Sequence, residues 1–296
     1  MNYYNQIKNK LIDNEIYSKV KDYSKERNTV ITYFEIGKLL YEAGGKYGDN
    51  VIEEYSKKLV IEVGKKYNKR TLFRMKQFYI VFNNEKVSTL STQLTWSHYT
   101  ELLPIKNKNK LLYYLELCIT QNLDVRSLRD RIKSKEYERL PEETKLKLLS
   151  KDKSKLVDFI KNPILIKNTN KYEMISEKIL QKLILEDIPT FLKELGDGFT
   201  FIENEYKIKL GNNYNYIDLL LYNIKFRCYV VIELKVTELK KEYIGQILTY
   251  MNYIDKNIKS IEEDRTIGII ICKKDNKFVM EYCSDNRILT RKYELI

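Results

Sequence analysis

Tyr216-Ile-Asp-Leu-Leu-Leu-Tyr222 and Cys228-Tyr-Val-Val-Ile-Glu-Leu-Lys235 decide how this chain is read. Both are short apolar runs of the kind that form buried strands. Each is interrupted by one acid, Asp218 in the first and Glu233 in the second, fifteen residues apart. A carboxylate buried without a partner is costly, so its presence in such a run needs a reason. Alternation puts Glu233 and Lys235 on one side of their strand and Leu234 on the other. Two carboxylates converging on neighbouring strands repel unless a cation lies between them, and Mg²⁺ commonly takes one or two carboxylates plus water and phosphate oxygens. Water bound to a metal can ionise near neutral pH. Lys235 could orient or deprotonate that water, or offset charge on a phosphoryl transition state. The competing reading is a buried Glu233–Lys235 ion pair, with Asp218 capping a strand end.

Around these runs the pattern is α/β. Tyr172 to Leu195 reads as a helix bent at Pro189 and stopped by Gly196. Strands are expected at Phe199–Glu203, Glu205–Leu210, Ile217–Tyr222, Cys228–Leu234, Arg265–Cys272 and Val279–Cys283, with a turn at Gly211-Asn-Asn213. A helix from Glu242 to Ile258 carries Gln246 and Tyr250 one turn apart on one face. Helix, strands, helix and strand describe a sandwich around a mixed sheet.

Residues 1–135 read as mostly helical. Apolar spacing from Leu11 to Glu42 ends at a helix stop in Ala43-Gly-Gly45. A second helix runs from about Asp49 to Lys66, and a third begins near Asn68 with Leu72, Met75, Phe78 and Tyr79 on its apolar face. The other positions of the third include Lys69, Arg70, Arg74 and Lys76. A tight turn between two short helices, the second opening on basic residues, fits a helix-turn-helix that contacts DNA. An ordinary helical hairpin with a solvated basic face fits as well. Residues 136–170, thin in apolar pattern and rich in lysine, read as a linker before a domain at 171–296.

Composition removes several classes of function. The 296 residues carry 53 basic and 41 acidic side chains, net +12, of which +9 falls in residues 1–150. Such an excess favours a polyanion partner, although richness in Lys, Asn, Ile and Tyr also follows from AT-rich coding. His98 is the single histidine, which excludes histidine-rich metal centres and makes it a structural or surface residue. Cys118, Cys228, Cys272 and Cys283 are far apart and read as free thiols in a reducing compartment. The absence of a long apolar run and of a signal-peptide core points to the cytoplasm, with no membrane association.

The two strand motifs, with Phe191-Leu-Lys-Glu-Leu-Gly-Asp-Gly-Phe-Thr-Phe201 and Thr266-Ile-Gly-Ile-Ile-Ile-Cys-Lys273, resemble the YhcG family of bacterial PD-(D/E)xK nucleases. Tyr33-Phe-Glu-Ile-Gly37, Arg74-Met-Lys-Gln-Phe-Tyr79 and Leu94-Thr-Trp-Ser-His-Tyr99 resemble that family's N-terminal domain. The resemblance implies an α+β protein overall: a mostly helical N-terminal domain, then an α/β restriction-endonuclease-like domain with a mixed central sheet. It implies Asp218, Glu233 and Lys235 as the catalytic triplet, Gln246 as an accessory residue on the following helix, and Mg²⁺ or Mn²⁺ as cofactor. It also implies a metal-facing residue on the first core helix, for which Glu177 and Gln181 compete. The expected activity is a DNA endonuclease in defence or DNA processing. A non-catalytic nucleic-acid- or partner-binding protein on the same fold is the alternative, and the Tyr-rich helices of the first half suit a homo-oligomer.

Overall fold

The structure, a computed structural model, describes residues 2–19, 24–47, 50–83, 94–150 and 156–296. It divides into two units, Met1–Tyr137 and Glu138–Ile296.

The first unit is helical, with α1 (Tyr3–Lys19), α2 (Ser24–Tyr47), α3 (Val51–Glu62), α4 (Lys69–Phe82), α5 (Trp96–Leu102), α6 (Lys108–Gln121) and α7 (Val125–Lys133). Side-chain caps set several starts: Asn68 accepts from Thr71 N at 3.1 Å at α4, and Asp124 from Ser127 N at 2.6 Å at α7. His98 is buried and structural. Its Nδ1 serves the Thr95 end of α5, and its Nε2 lies 2.9 Å from the Leu123 carbonyl oxygen. The expected stop at Gly44-Gly45 is corrected, because α2 continues through both glycines to Tyr47. Asp49 and residues 20–23 and 151–155 of the expected segments lie outside the described residues.

Packing in this unit centres on α2, α3 and α4. Ile36, Leu40, Ile52, Leu59, Leu72 and Met75 are fully buried in one apolar cluster. Phe78 of α4 stacks edge-on or tilted against Phe34, Phe82, Trp96 and Tyr99, with centroids 4.6–5.6 Å away. At Gly37 the backbones of α2 and α4 nearly touch. A Cβ there would lie 2.1 Å from the Met75 carbonyl oxygen, closer than any real contact.

The second unit contains α8 (Glu142–Ser150), α9 (Leu156–Phe159), β1 (Ile164–Ile166), α10 (Glu177–Glu186), α11 (Ile188–Leu195), β2 (Phe199–Leu210), β3 (Asn213–Asn223), β4 (Cys228–Glu238), α12 (Lys241–Asn257), β5 (Asp264–Lys274), α13 (Lys277–Glu281) and β6 (Ile288–Leu295). The sheet order is β1-β6-β5-β4-β3-β2. Strands β1, β6, β5 and β4 are mutually parallel, while the β2–β3 and β3–β4 pairs are antiparallel. One face packs on α10 and α11 through Leu180, Leu183, Ile184, Phe191 and Leu195. The other packs on α12 through Ile247, Tyr250, Met251 and Ile254.

Three expectations change here. The single bent helix is two, because Asp187 ends α10 and caps α11 by accepting from Thr190 N at 3.2 Å, with Pro189 in the first turn. Residues 279–283 are not a strand: Asn276 caps the short α13, and the last strand is Ile288–Leu295. The segment 136–170 supplies β1 to the sheet, and Leu156, Ile160, Ile164 and Ile166 to its core. Arg139 is tied to α11 by a nearly buried bidentate pair with Glu194, at 2.5 and 3.0 Å. No helix among the described residues is long and apolar enough to cross a membrane.

The glycines of α2 give a matched test of the packing. Gly45 has no heavy atom within 4 Å of a built Cβ. Gly45→Ala is expected to raise stability by up to about 1 kcal/mol through helix propensity. Gly37→Ala gains the same propensity but forces α2 from α4, for a net loss of about 1–3 kcal/mol. Denaturant unfolding of the two variants checks the opposite signs.

Candidate active site

The β3–β4 ladder runs from Asn223–Cys228 to Leu219–Ile232 and stops one residue short of Asp218 and Glu233. Where the strands part, side chains replace backbone pairing. Asp218 Oδ2 accepts the Leu234 backbone N–H at 2.7 Å, and the Asp218 carbonyl oxygen accepts from Gln181 Nε2 of α10 at 3.0 Å. Asp218 is thus anchored at its carboxylate and its main chain.

The neighbouring strand β2 has a matching irregularity. Its ladder with β3 passes from Asn204–Leu219 to Tyr206–Ile217 and omits the Glu205–Asp218 pair, and Glu205 has φ of 51°. Leu219 and Leu221 pack on the α10–α11 side and Leu220 on the α12 side. Ile217, which strict alternation would group with Leu219, packs instead on the α12 side. The pleat therefore slips by one at Asp218.

Glu233 and Lys235 extend from β4 opposite to Ile232 and Leu234, which belong to the α10–α11 core. Glu233 is 1% exposed and Lys235 6% exposed, so both are held almost without water. Lys235 Nζ lies 3.3 Å from Glu233 Oε2 and 3.6 Å from Glu177 Oε2, and 5.3 Å from the Tyr243 ring centroid. Glu233 Oε1 is buried and has no hydrogen-bond partner among the described residues. On α12, Gln246 Nε2 donates to the Tyr250 hydroxyl at 3.1 Å.

Electrostatics follow from this burial. Desolvation first, and the Asp218 charge second, push the Glu233 carboxyl up to about 8 against the pull of Lys235. Burial also raises Asp218, partly offset by the Leu234 N–H and Lys235, with Glu177 and Glu205 adding to the rise. Burial alone would lower Lys235, but Glu233, Asp218 and Glu177 together hold it above the usual lysine range. The Tyr250 hydroxyl is raised by burial and by the charges of Glu233 and Asp218, against the pull of its hydrogen bond with Gln246 and of Lys235.

The residues fit a divalent cation. Their donors are hard carboxylate oxygens, and the orphaned Glu233 Oε1 is a buried acceptor that lacks what a cation would supply. Asp218 and Glu233 would hold the ion, with water and substrate oxygens filling the shell. Glu177 is exposed and turned toward Lys235, whereas Gln181 is 9% exposed and bonded to the Asp218 main chain. Glu177 thus meets Lys235 while Gln181 positions the strand, and among the described residues no three acids, histidines or cysteines gather closely enough to hold an ion, which leaves Asp218 and Glu233 as its protein ligands. Neither Tyr243 nor the slip at Glu205 was anticipated. A tyrosine in the first turn after Glu-Leu-Lys was the available signal for the former, and a left-handed glutamate leaves none.

The basic residues of α4 form a different arrangement in the first unit. Lys69 Nζ is bonded to Glu53 Oε2 of α3 at 2.6 Å, Arg70 is exposed, and Arg74 and Lys76 are half-buried. Phe73, Ile80 and Val81 are exposed on the same helix, so its outer surface is mixed rather than uniformly basic.

Residues 157–296 match the model described as the YhcG PDDEXK nuclease domain, and residues 11–139 match the DUF1016 N-terminal domain. The second unit thus matches a PDDEXK nuclease domain, and the chain is similar to the YhcG family over both units. It is 24% identical over 316 residues to the YhcG protein of Escherichia coli (strain K12), covering 89% of this chain and 82% of that one. Among solved structures, a repair endonuclease from Pyrococcus abyssi is similar over 41% of this chain and 48% of its own, at 17% identity and a TM-score of 0.30. The EndoMS–dsDNA2 complex is similar over 41% and 47%, at 19% identity and a TM-score of 0.31. The chain spans about half the length of each of these two.

The raised Glu233 pKa makes metal-free stability depend on pH. A folded value of about 8, above the ordinary 4.5, means the native state holds a proton that the unfolded chain releases. Stability is therefore fully present below about 4.5 and falls as pH rises to about 8. Glu233→Gln removes this dependence, so in chelator its melting temperature should gain on the wild type between pH 5 and pH 8. A gap of about 1 kcal/mol corresponds to roughly 2–4 °C at this size. Thermal melts at both pH values measure it, and a pH-independent gap would show that Glu233 is ionised in the fold.

Proposed function

We propose that the second unit hydrolyses phosphodiester bonds in DNA, as an endonuclease dependent on Mg²⁺ or Mn²⁺. The observation that carries this reading is the buried Glu233 carboxylate, with one oxygen unpartnered, beside Asp218 and Lys235 where two strands part. A purely structural ion pair would satisfy both oxygens; this arrangement leaves one available. The bound ion supplies Lewis acidity and a coordinated water that ionises near neutral pH.

The chain's own residues do the rest. Asp218 and Glu233 bring ligand oxygens, and Leu234 N–H and Gln181 keep Asp218 from turning away. Lys235 Nζ, 3.3 Å from Glu233, orients the attacking water and offsets negative charge on the phosphoryl oxygens as they crowd. Glu177 and Glu233 keep Lys235 protonated, which favours a role as a cation over one as a base. Gln246, tied to Tyr250, offers a neutral hydrogen bond to water or phosphate. The basic excess of the first 150 residues supports a polyanion substrate. The setting we infer for this activity is the cytoplasm, in defence or DNA processing.

Purified protein incubated with linear, nicked and branched DNA, in Mg²⁺, Mn²⁺ or EDTA, tests the reading. Asp218→Ala, Glu233→Ala and Lys235→Ala are each expected to lower cleavage at least about a hundredfold. Gln246→Ala should cost about tenfold, the loss of a neutral hydrogen bond. Combining the changes should add little, because the residues act as a unit. Wild-type cleavage by Glu233→Ala would place the chemistry elsewhere. Binding without cleavage in any metal would favour a binding protein on this fold.

Duplex binding by the first unit is tested separately. Arg70→Ala with Arg74→Ala should flatten the dependence of log affinity on log salt by about 1.8, from about 0.9 for each lost phosphate contact. An unchanged slope would leave the exposed Phe73, Ile80 and Val81 surface to a protein partner or a second copy.

A further inference from the structure

The outer half of the β2–β3 hairpin has two unlike faces. Tyr206, Ile208, Leu210 and Ile217 turn into the α12-side core. On the other face Lys207 pairs across the ladder with Tyr216, and Lys209 with Tyr214. Lys207 Nζ also lies 3.9 Å from the Tyr214 ring centroid. The two rings are 55% and 52% exposed, and both lysines are exposed. The face ends at the Glu205–Asp218 step: Tyr216 is two residues from Asp218, or about 7 Å along a strand, and Tyr214 about 14 Å. It lies on the α10 side of the sheet, opposite the side on which Glu233 and Lys235 leave β4, and the two meet where β3 and β4 part at Asp218, where Lys235 also reaches Glu177 of α10 at 3.6 Å.

Lysine on an edge strand can serve only to block edge-to-edge aggregation, and β2 is the sheet edge. That role does not require two half-exposed tyrosines between the lysines, since exposed rings add apolar surface that works against it. Basic groups alternating with flat rings match a strand of nucleic acid, whose phosphates seek cations and whose bases stack on aromatic side chains. A duplex offers its phosphates but keeps its bases paired, so exposed rings on a hairpin discriminate in favour of unpaired bases. Glu205, at the inner end of the face, repels phosphate and thereby marks where the track gives way to the carboxylate site.

We propose that Lys207, Lys209, Tyr214 and Tyr216 form a track for single-stranded DNA leading to Asp218 and Glu233. The substrate is then DNA with an unpaired segment beside the bond to be cut. This rests on the nuclease reading of the same site, and binding without metal separates the two.

Fluorescence anisotropy in EDTA, with labelled oligo-dT, the oligoribonucleotide of the same length and a blunt duplex, is the test. Circular dichroism and melting temperature confirm that each variant is folded. Tyr214→Ala with Tyr216→Ala should weaken oligo-dT binding at least about fivefold per ring, with the duplex changing less than about twofold. Tyr214→Phe with Tyr216→Phe should keep affinity, because stacking needs the ring and not the hydroxyl. Lys207→Ala with Lys209→Ala should flatten the single-strand salt slope by about 1.4, from about 0.7 per contact. Unchanged oligo-dT affinity in the alanine pair, an equal loss on the duplex, or a tyrosine-dependent preference for the oligoribonucleotide would overturn the proposal. A wild type that cleaves while the hairpin variants bind and cut normally defeats the track alone. Tyrosine-dependent binding by a wild type that never cleaves defeats the nuclease reading and leaves the track.

Discussion

The hydrogen bond from Leu234 N–H to Asp218 Oδ2, 2.7 Å long, is the contact on which the candidate site depends. Once β3 and β4 part at Leu219–Ile232, this buried donor of β4 would lose its partner, which costs about 1–3 kcal/mol. The Asp218 carboxylate replaces the missing carbonyl and so bridges the strands at the point where they separate. The gap keeps Glu233 and Lys235 close to Asp218 without a ladder to fill it. One carboxylate therefore completes the sheet on the strand beside Glu233 and Lys235.

Much of the second unit was legible because its strands are short apolar runs and its helices have periodic apolar faces. The turn at Gly211-Asn212 joins β2 and β3 as expected, with Gly211 at φ of 61°. The failures have local causes. Val279–Cys283 is apolar enough for a strand, but Asn276 accepts from Val279 N at 3.3 Å and turns the chain into a helix. Ile164–Ile166 carries no strand signal because three residues are too few to show a period, and its partner Tyr293–Leu295 lies almost 130 residues away. In α2 the helix runs on through Gly44-Gly45 to Tyr47, since a glycine inside a helix costs only about 1 kcal/mol and Ala43 beside the pair is buried in the core.

The proximity of Asp218, Glu233 and Lys235 was legible for a different reason: acids inside apolar strands violate local preference and so stand out in the sequence. The supporting residues are less visible. Gln181 sits at an ordinary buried helix position, and only its bond to the Asp218 carbonyl reveals its role. Glu177 and Gln181 are one turn apart on α10, so periodicity alone cannot separate an acid that meets Lys235 from an amide that holds a strand. The α4 cations were equally visible, but the Glu53 bond to Lys69 and the exposed Phe73, Ile80 and Val81 are facts of tertiary packing.

The slip at Glu205 and Asp218 links the site to the hairpin beyond it. A one-residue shift of alternation exchanges the two faces of every residue that follows. Without the slip, Tyr214 and Tyr216 would share the α12 side with Leu220, and Ile217 and Ile208 would face water. With it, Ile208 and Ile217 are 1% and 0% exposed while the tyrosines stand open. The cost is a non-glycine residue at φ of 51°, about 1–2 kcal/mol, which burial of two isoleucines offsets at about 1.5–3 kcal/mol each. The same step leaves Asp218 out of the β2 ladder, free to meet Leu234 and Gln181. Strain at one glutamate thus both presents the carboxylate and turns the Lys–Tyr face of the hairpin outward.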